Sequence, residues 1–134
     1  MPRTIINPAT LHEAVKYGFS HVAISSGGTV VHCAGQVAWD VDETVVGIGD
    51  LAVQATKALD NLRLALAAAG ATPADVVRLR TYVVDHTPDK LEPIGMALSA
   101  FYGDQPPAPN TLIGVQTLAL PDFLIEIEAT AVIS

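Results

Sequence analysis

The chain has 134 residues, half of them hydrophobic, with one cysteine and a net charge of −7 at neutral pH. That length suits one domain around one core, and its seven Lys and Arg residues are scattered, so no basic cluster exists to track a phosphate backbone. A lone Cys33 excludes an internal disulfide framework and fits a reducing, cytoplasmic setting. Nor does any apolar run approach the ~18 residues of a membrane span. The opening MPRTIINPAT lacks the apolar centre of a signal peptide. Mean hydropathy is +0.39, high for so short a chain. The surplus apolar surface is expected to go into contacts between copies, as in a cytoplasmic homo-oligomer.

In chain order, HVAISSGGTVVHCAGQVA reads as a hairpin, with apolar runs on either side of an SSGG turn. An irregular acidic stretch, VAWDVDETVVGIGD, follows. DLAVQATKALDNLRLALAAAG is the clearest helix, with Asp50 as N-cap and Gly70 at C′. Its Leu51, Ala55, Ala58, Leu59, Leu62, Leu66 and Ala69 recur at steps of three and four. Lys57, Asp60, Asn61 and Arg63 fall mostly off that stripe.

ATPAD carries a cap signature, with Thr72, Pro73 and Asp75, and leads into the strand VVRLRTYVVD. There Arg78, Arg80 and Tyr82 alternate with Val77, Leu79, Thr81 and Val83. A second helix lies in KLEPIGMALSAFYG; Leu91, Ile94, Leu98 and Phe101 share a face, and Pro93 places the start just before itself. The loop DQPPAPN then feeds a strand, TLIGVQTLA, and no Lys or Arg occurs from Leu91 to Ser134. The last strand is FLIEIEATAVI. The order β-β-α-β-α-β-β points to an α+β domain, one sheet with both helices on one side.

On that last strand Phe123, Ile125, Ile127, Ala129 and Ala131 face one way, toward the helices. Leu124, Glu126, Glu128, Thr130 and Val132 face the other. The two acids are roughly 7 Å apart at about 3.3 Å per residue, a gap that suits an acid/base pair, although a solvated sheet face is the simpler explanation of the spacing. Apolar residues bracket them, which suggests a face covered by another subunit. A carboxylate covered in that way exchanges protons nearer neutrality.

Other groups offer less. Cys33 lacks a base or electropositive neighbour in the sequence and reads as a small buried strand residue. Tyr82 and Trp39 read as packing groups. His21 opens a strand and, on its own, reads as an edge residue. His32 and Cys33 are adjacent and point to opposite faces of a strand, which makes a poor metal site. No phosphate loop and no G-x-S-x-G motif is present.

Five pieces, AGQVAWD, VGIGD, QATKALDNLRLALAAAG, ADVVRLRTYVVD and LIEIEATAV, together resemble the RidA/YjgF family in order and spacing. Older names are the YER057c/UK114 group and endoribonuclease L-PSP. The resemblance runs from about His21 to Ile133. It implies a chorismate-mutase-like fold, a homotrimer with a central barrel, and three sites in clefts between subunits. It also implies hydrolysis of reactive enamines or imines, such as 2-aminoacrylate and its imine, to a keto acid and ammonia, with no cofactor and no metal. Family members hold the substrate carboxylate with an arginine after a Pro-Ala pair, and activate water with a glutamate on the last strand.

Carried over by position, the glutamate is Glu126 and the substrate-contacting strand includes Gly35. The serine before that glycine is Ala34 here, and the family's tyrosine falls near His21. The arginine falls within one residue of Asn110, with Thr111 beside it. An amide donates hydrogen bonds but brings no charge, so a carboxylate would bind more weakly by on the order of a few kcal/mol in a desolvated site, unless Arg78, Arg80 or another subunit supplies a cation. Three readings follow: a hydrolase for a differently built imine or enamine, a non-catalytic small-molecule-binding trimer, and a ribonuclease. The acidic balance argues against the last, and neither nucleic acid nor membrane is expected as a partner.

Overall fold

The computed structural model describes residues 3–134. Its strands are β1 (Arg3–Ile6), β2 (Val22–Ser25), β3 (Thr29–Gln36), β4 (Val76–Val84), β5 (Asn110–Val115) and β6 (Ile125–Ile133), and its helices are α1 (Leu51–Ala68) and α2 (Leu91–Tyr102). Strands β3, β6, β4 and β5 form a four-stranded sheet in that order, parallel between β4 and β5 and antiparallel elsewhere. Both helices pack on one face of it, so the α+β expectation holds.

The single-sheet expectation does not. Strand β1 lies before the first expected strand, and β2 pairs with it rather than with β3. The SSGG segment does turn the chain, but its two arms serve different sheets. One cause is visible at Arg3, a side chain outside every expected element. Its buried guanidinium donates to the carbonyls of Val76 at 2.5 Å and Pro106 at 2.7 Å. This ties β1, and β2 with it, to the start of β4. The turn itself lies against the end of β6: a Cβ on Gly28 would sit 2.4 Å from the Ile133 carbonyl oxygen.

Helix α1 forms as its pattern requires. The Asp50 side chain accepts from the Val53 amide, and Gly70 follows the helix with φ +81°. Ala55, Ala58, Leu59, Leu62 and Leu66 are buried against the sheet and α2. Small alanines at the contact allow close approach. On α2 the buried set is Ile94, Ala97, Leu98, Phe101 and Tyr102, whereas Leu91 remains largely exposed. Leu91 opens the helix one turn beyond the core, which corrects its expected place on the packed face.

In β4 a bulge between Val76 and Arg78 shifts the alternation by one residue, so Val76 rather than Val77 starts the core face. From there Leu79, Thr81 and Val83 are buried while Arg78 and Arg80 are exposed. In β6 the expected alternation is complete on its core side: Ile125, Ile127, Ala129 and Ala131 are all buried.

One polar side chain inside this core was missed from sequence. Gln54 of α1 is fully buried. Its Nε2 donates to the carbonyls of Gly47 at 3.1 Å and Asp122 at 2.9 Å, and its Oε1 accepts from the Leu124 amide at 2.9 Å. It thereby joins the loop before α1 to the entry of β6. Gln54→Leu keeps the volume and leaves three backbone groups without their partner. Urea unfolding is expected to show a loss of about 2 kcal/mol or more; a loss under about 0.5 kcal/mol would mean that water replaces all three bonds.

Candidate functional site

Between Cys33 and Gln36 the ladder of β3 with β6 slips: Cys33 faces Ala129 and Gln36 faces Ile127. One extra residue on β3 makes this a bulge, a device that re-aims residues locally. Ala34 and Gly35 lie in it. The consequence is close contact with the outer face of β6. A Cβ on Gly35 would lie 2.1 Å from Glu126 Oε2, 2.7 Å from Cδ and 2.8 Å from Cγ. The carboxylate therefore rests against the bare backbone at Gly35, and a glycine is what leaves room for it.

Glu126 and Gly35 share the wall of a cavity of about 750 Å³ with Gln36, Trp39, Lys57 and Asn61. Side chains of α1 hold the loop on the far wall. Asn61 Nδ2 donates to the carbonyls of Val37 at 2.9 Å and Trp39 at 2.7 Å. Asp40 Oδ1 accepts from the amides of Asp42 and Thr44, both at 2.9 Å, and closes the loop tip. The Trp39 ring packs edge-on against Phe123 with centroids 5.2 Å apart. Trp39 is thus a packing group, as expected, and also a wall of the cavity.

Gln54, Lys57 and Asn61 recur at steps of three and four, so α1 presents one polar stripe to this loop. Lys57 and Asn61 lie off the apolar face of the helix. Their spacing was the signal that they line one surface. Lys57 lines the same cavity as Glu126, with no ion pair between them among the described residues; Arg78 and Arg80, the expected alternatives as carboxylate-binding cations, are elsewhere.

They flank Glu128. Arg78, Arg80, Glu128 and Thr130 surround a separate small polar cavity of about 180 Å³. Arg80 faces Glu128 across the β4–β6 ladder. Tyr82 donates its phenol proton to Glu128 Oε1 at 2.5 Å, and that hydrogen bond, above all, raises the Tyr82 pKa from its ordinary value. So the two acids of β6 have different surroundings. Glu128 is engaged by Tyr82, whereas Glu126 makes no hydrogen bond or ion pair among the described residues and meets the larger cavity. They do not act as one acid/base pair.

Asn110 starts β5 opposite Leu79, a core-facing residue of β4. Thr81, also core-facing, donates its hydroxyl to Asn110 Oδ1 at 3.1 Å. Asn110 therefore looks toward the helix layer. Glu126 pairs with Tyr82 and belongs to the opposite face. Within one chain the two residues sit on opposite sides of the sheet, in different cavities. The second cavity, about 900 Å³, lies between α2, the turn around Tyr17, and β5; Asn110 and Thr111 are part of its lining.

His21 lines neither cavity. Its amide donates to Asn7 Oδ1 at 2.8 Å, and its ring Nε2 lies 2.8 Å from the His12 carbonyl oxygen. A carbonyl only accepts, so Nε2 carries the proton there. The ring packs on His12 and Phe19. Phe19 in turn lines the second cavity. Cys33 is half-buried against the core, and burial pushes its thiol pKa up, away from nucleophilic use. Among the described residues no group of three or more His, Cys, Asp or Glu could hold a metal ion.

The family profile described as Endoribonuclease L-PSP matches residues 11–133. The chain belongs to this family. It is 30% identical over 105 residues to a RutC family protein of Pyrococcus abyssi, covering 78% of this chain and 79% of that one. A Rid-family protein of unknown function from Yersinia pestis, YyfB, superposes with a TM-score of 0.97 at 53% identity, over 99% of this chain and all of that one. E. coli TdcF, solved with bound serine, superposes with a TM-score of 0.71 at 23% identity, over 83% and 85% of the two chains. This last likeness is one of fold. The profile match includes the bulge at Gly35, Asn110 and Glu126.

Gly35→Ala tests the contact at the bulge. The three atoms nearest the new methyl group all belong to the Glu126 side chain, and a surface-facing side chain can rotate. The variant is expected to fold with less than about 1 kcal/mol lost, while a crystal structure shows the Glu126 carboxylate turned away from β3. An unmoved carboxylate would contradict the close approach.

Proposed function

We propose that this chain is a homotrimeric hydrolase of the RidA superfamily that deaminates a small reactive enamine or imine in a cleft between subunits. The observation that carries this reading is the state of Glu126: an unpaired carboxylate against Gly35, at the wall of a cavity of about 750 Å³. The reaction needs little more. Glu126 accepts a proton from water as the oxygen adds to the imine carbon, and the C=N bond becomes a C–N single bond. Return of that proton to nitrogen gives a carbinolamine; a second transfer through Glu126, from its hydroxyl to its nitrogen, then breaks the C–N bond, forms C=O and releases ammonia. Enamines enter the same path after protonation at carbon. No cofactor takes part in these steps.

Asn110 and Thr111 are the proposed substrate-orienting residues, with Ala34 and Gly35 contributing backbone. In this reading His21 acts through Phe19 rather than by contact. Because Asn110 and Glu126 face opposite sides of one sheet, a site that uses both must draw them from two subunits. The outer sheet face supports such assembly: Val30 is 52% exposed and Ile113 38% exposed, and Leu124 and Val84 are half-buried. Apolar side chains on a sheet face without helices are usual where another copy covers them.

The second reading is a non-catalytic small-molecule-binding trimer. What favours it is Asn110, an uncharged group where the family's arginine is expected. Two measurements separate the readings. Light scattering is expected to give a mass three times the 14.0 kDa of the chain; a monomer at micromolar concentration removes the intersubunit site. Ammonia release from enzymatically generated 2-aminoacrylate is then compared for wild type, Glu126→Gln and Asn110→Arg. Asn110→Arg is expected to gain activity on this carboxylate substrate, and Glu126→Gln to lose at least tenfold of whatever rate is present, as for removal of a general base. Silence of all three proteins favours the binding protein.

A further inference from the structure

We propose that the cavity under Asn110 binds uncharged ligands with an apolar body and a carbonyl-type acceptor at one end. This deepens the proposed function by naming a substrate class, and it rests on that reading in taking Asn110 as the polar anchor. The cavity measures about 900 Å³ and is lined chiefly by apolar side chains, among them Phe19, Leu91, Ile94, Leu98 and Leu112. That is within the range of roughly 300–1,000 Å³ for small-molecule sites, where a few polar groups fix the orientation.

Asn110 provides the orientation. Its Oδ1 is occupied by the Thr81 hydroxyl, which sets the amide so that Nδ2 is the free end. Nδ2 has no hydrogen-bond partner among the described residues. A free N–H donor in an apolar cavity selects an acceptor such as an amide, ketone or imine-derived carbonyl. Charge at the rim does not select a carboxylate. It consists of one cation, Lys16, and one anion, Glu92. The Lys16 ammonium lies over the Tyr17 ring, 5.2 Å from its centroid.

The fold also leaves the cavity open by choice of residue. Gly95 sits in the middle of α2 and lines it, yet a Cβ there would meet no atom within 4 Å. A helix interior disfavours glycine by roughly 1 kcal/mol relative to alanine, and nothing in the packing requires one. A larger residue would fit the fold and fill the space, so glycine at this position keeps the volume free.

The test is calorimetric titration of the whole protein with hexanamide, 3-phenylpropanamide and acetamide, each beside its carboxylate. Wild type is expected to bind the two larger amides, at least tenfold tighter than their carboxylates and tighter than acetamide. Gly95→Leu is expected to weaken the larger amides at least tenfold, with an unfolding midpoint unchanged or higher. Asn110→Leu removes the donor at similar volume and is expected to weaken all amides at least tenfold. Equal or tighter binding of the carboxylates overturns the inference. So does indifference to Gly95→Leu, or no binding of either series, the result expected if a second copy of the chain fills the cavity. Silence of wild type, Glu126→Gln and Asn110→Arg alike in the ammonia assay would defeat the hydrolase reading and leave these titrations intact. An active hydrolase that ignores the amides would overturn this inference alone.

Discussion

Strand β6 is paired along both edges, with β3 on one side and β4 on the other. A strand so held cannot slip by one residue without exchanging its faces. Its inner residues, Ile125, Ile127, Ala129 and Ala131, are all buried under the helices. A slip would place Glu126 and Glu128 in that core, where an uncompensated carboxylate costs far more than the domain can spare. The register that makes the core is therefore also what puts Glu126 on the open face. Stability and site geometry are set by the same alternation.

Register alone would give two equivalent acids. They differ because of their neighbours on either side. Toward β4, Glu128 meets the Tyr82 hydroxyl and Arg80. Toward β3, Glu126 meets a bulge and a glycine, which offer space and backbone but no competing side chain. Gln54 then holds the entry to β6 from the helix side, and Asn61 holds the loop across the cavity. A site of this kind is built from structural side chains that leave one group deliberately without a partner. Free chemistry at Glu126 depends on satisfied chemistry at Gln54, Glu128 and Asn61.

Both helices, the caps of α1 and the faces of β6 were legible in the sequence because each rests on local periodicity or on a local cap. The limits were equally physical. The alternation Arg78, Arg80, Tyr82 reads correctly, but Val77 does not, since a bulge changes the count without any residue that marks it. Strand β1 escaped because four residues carry no period, and its anchor is an Arg3 side chain reaching the start of β4, a contact between residues 73 apart. The spacing of Glu126 and Glu128 could not separate them, because Tyr82 and Gly35 come from strands whose pairing is a tertiary fact. Asn61 falls off the apolar stripe and Gln54 carries no signal of its own; only the course of the loop before α1 shows that both are buttresses.

The positions of Asn110 and Glu126 bear most directly on assembly. Strand β4 lies between β5 and β6, and its alternate residues fix the faces: Leu79 and Thr81 look toward the helices with Asn110, Tyr82 looks away with Glu126. No side-chain rotation takes a short asparagine through a packed strand. If one ligand touches both residues, the sheet edge of one copy must meet the outer face of another. Strand β5 is the edge nearest that requirement, and Ile113 and Thr111 are exposed on it. An unpaired strand edge with an exposed apolar residue is a liability for an isolated chain. In an assembly it is the means by which two half-sites become one.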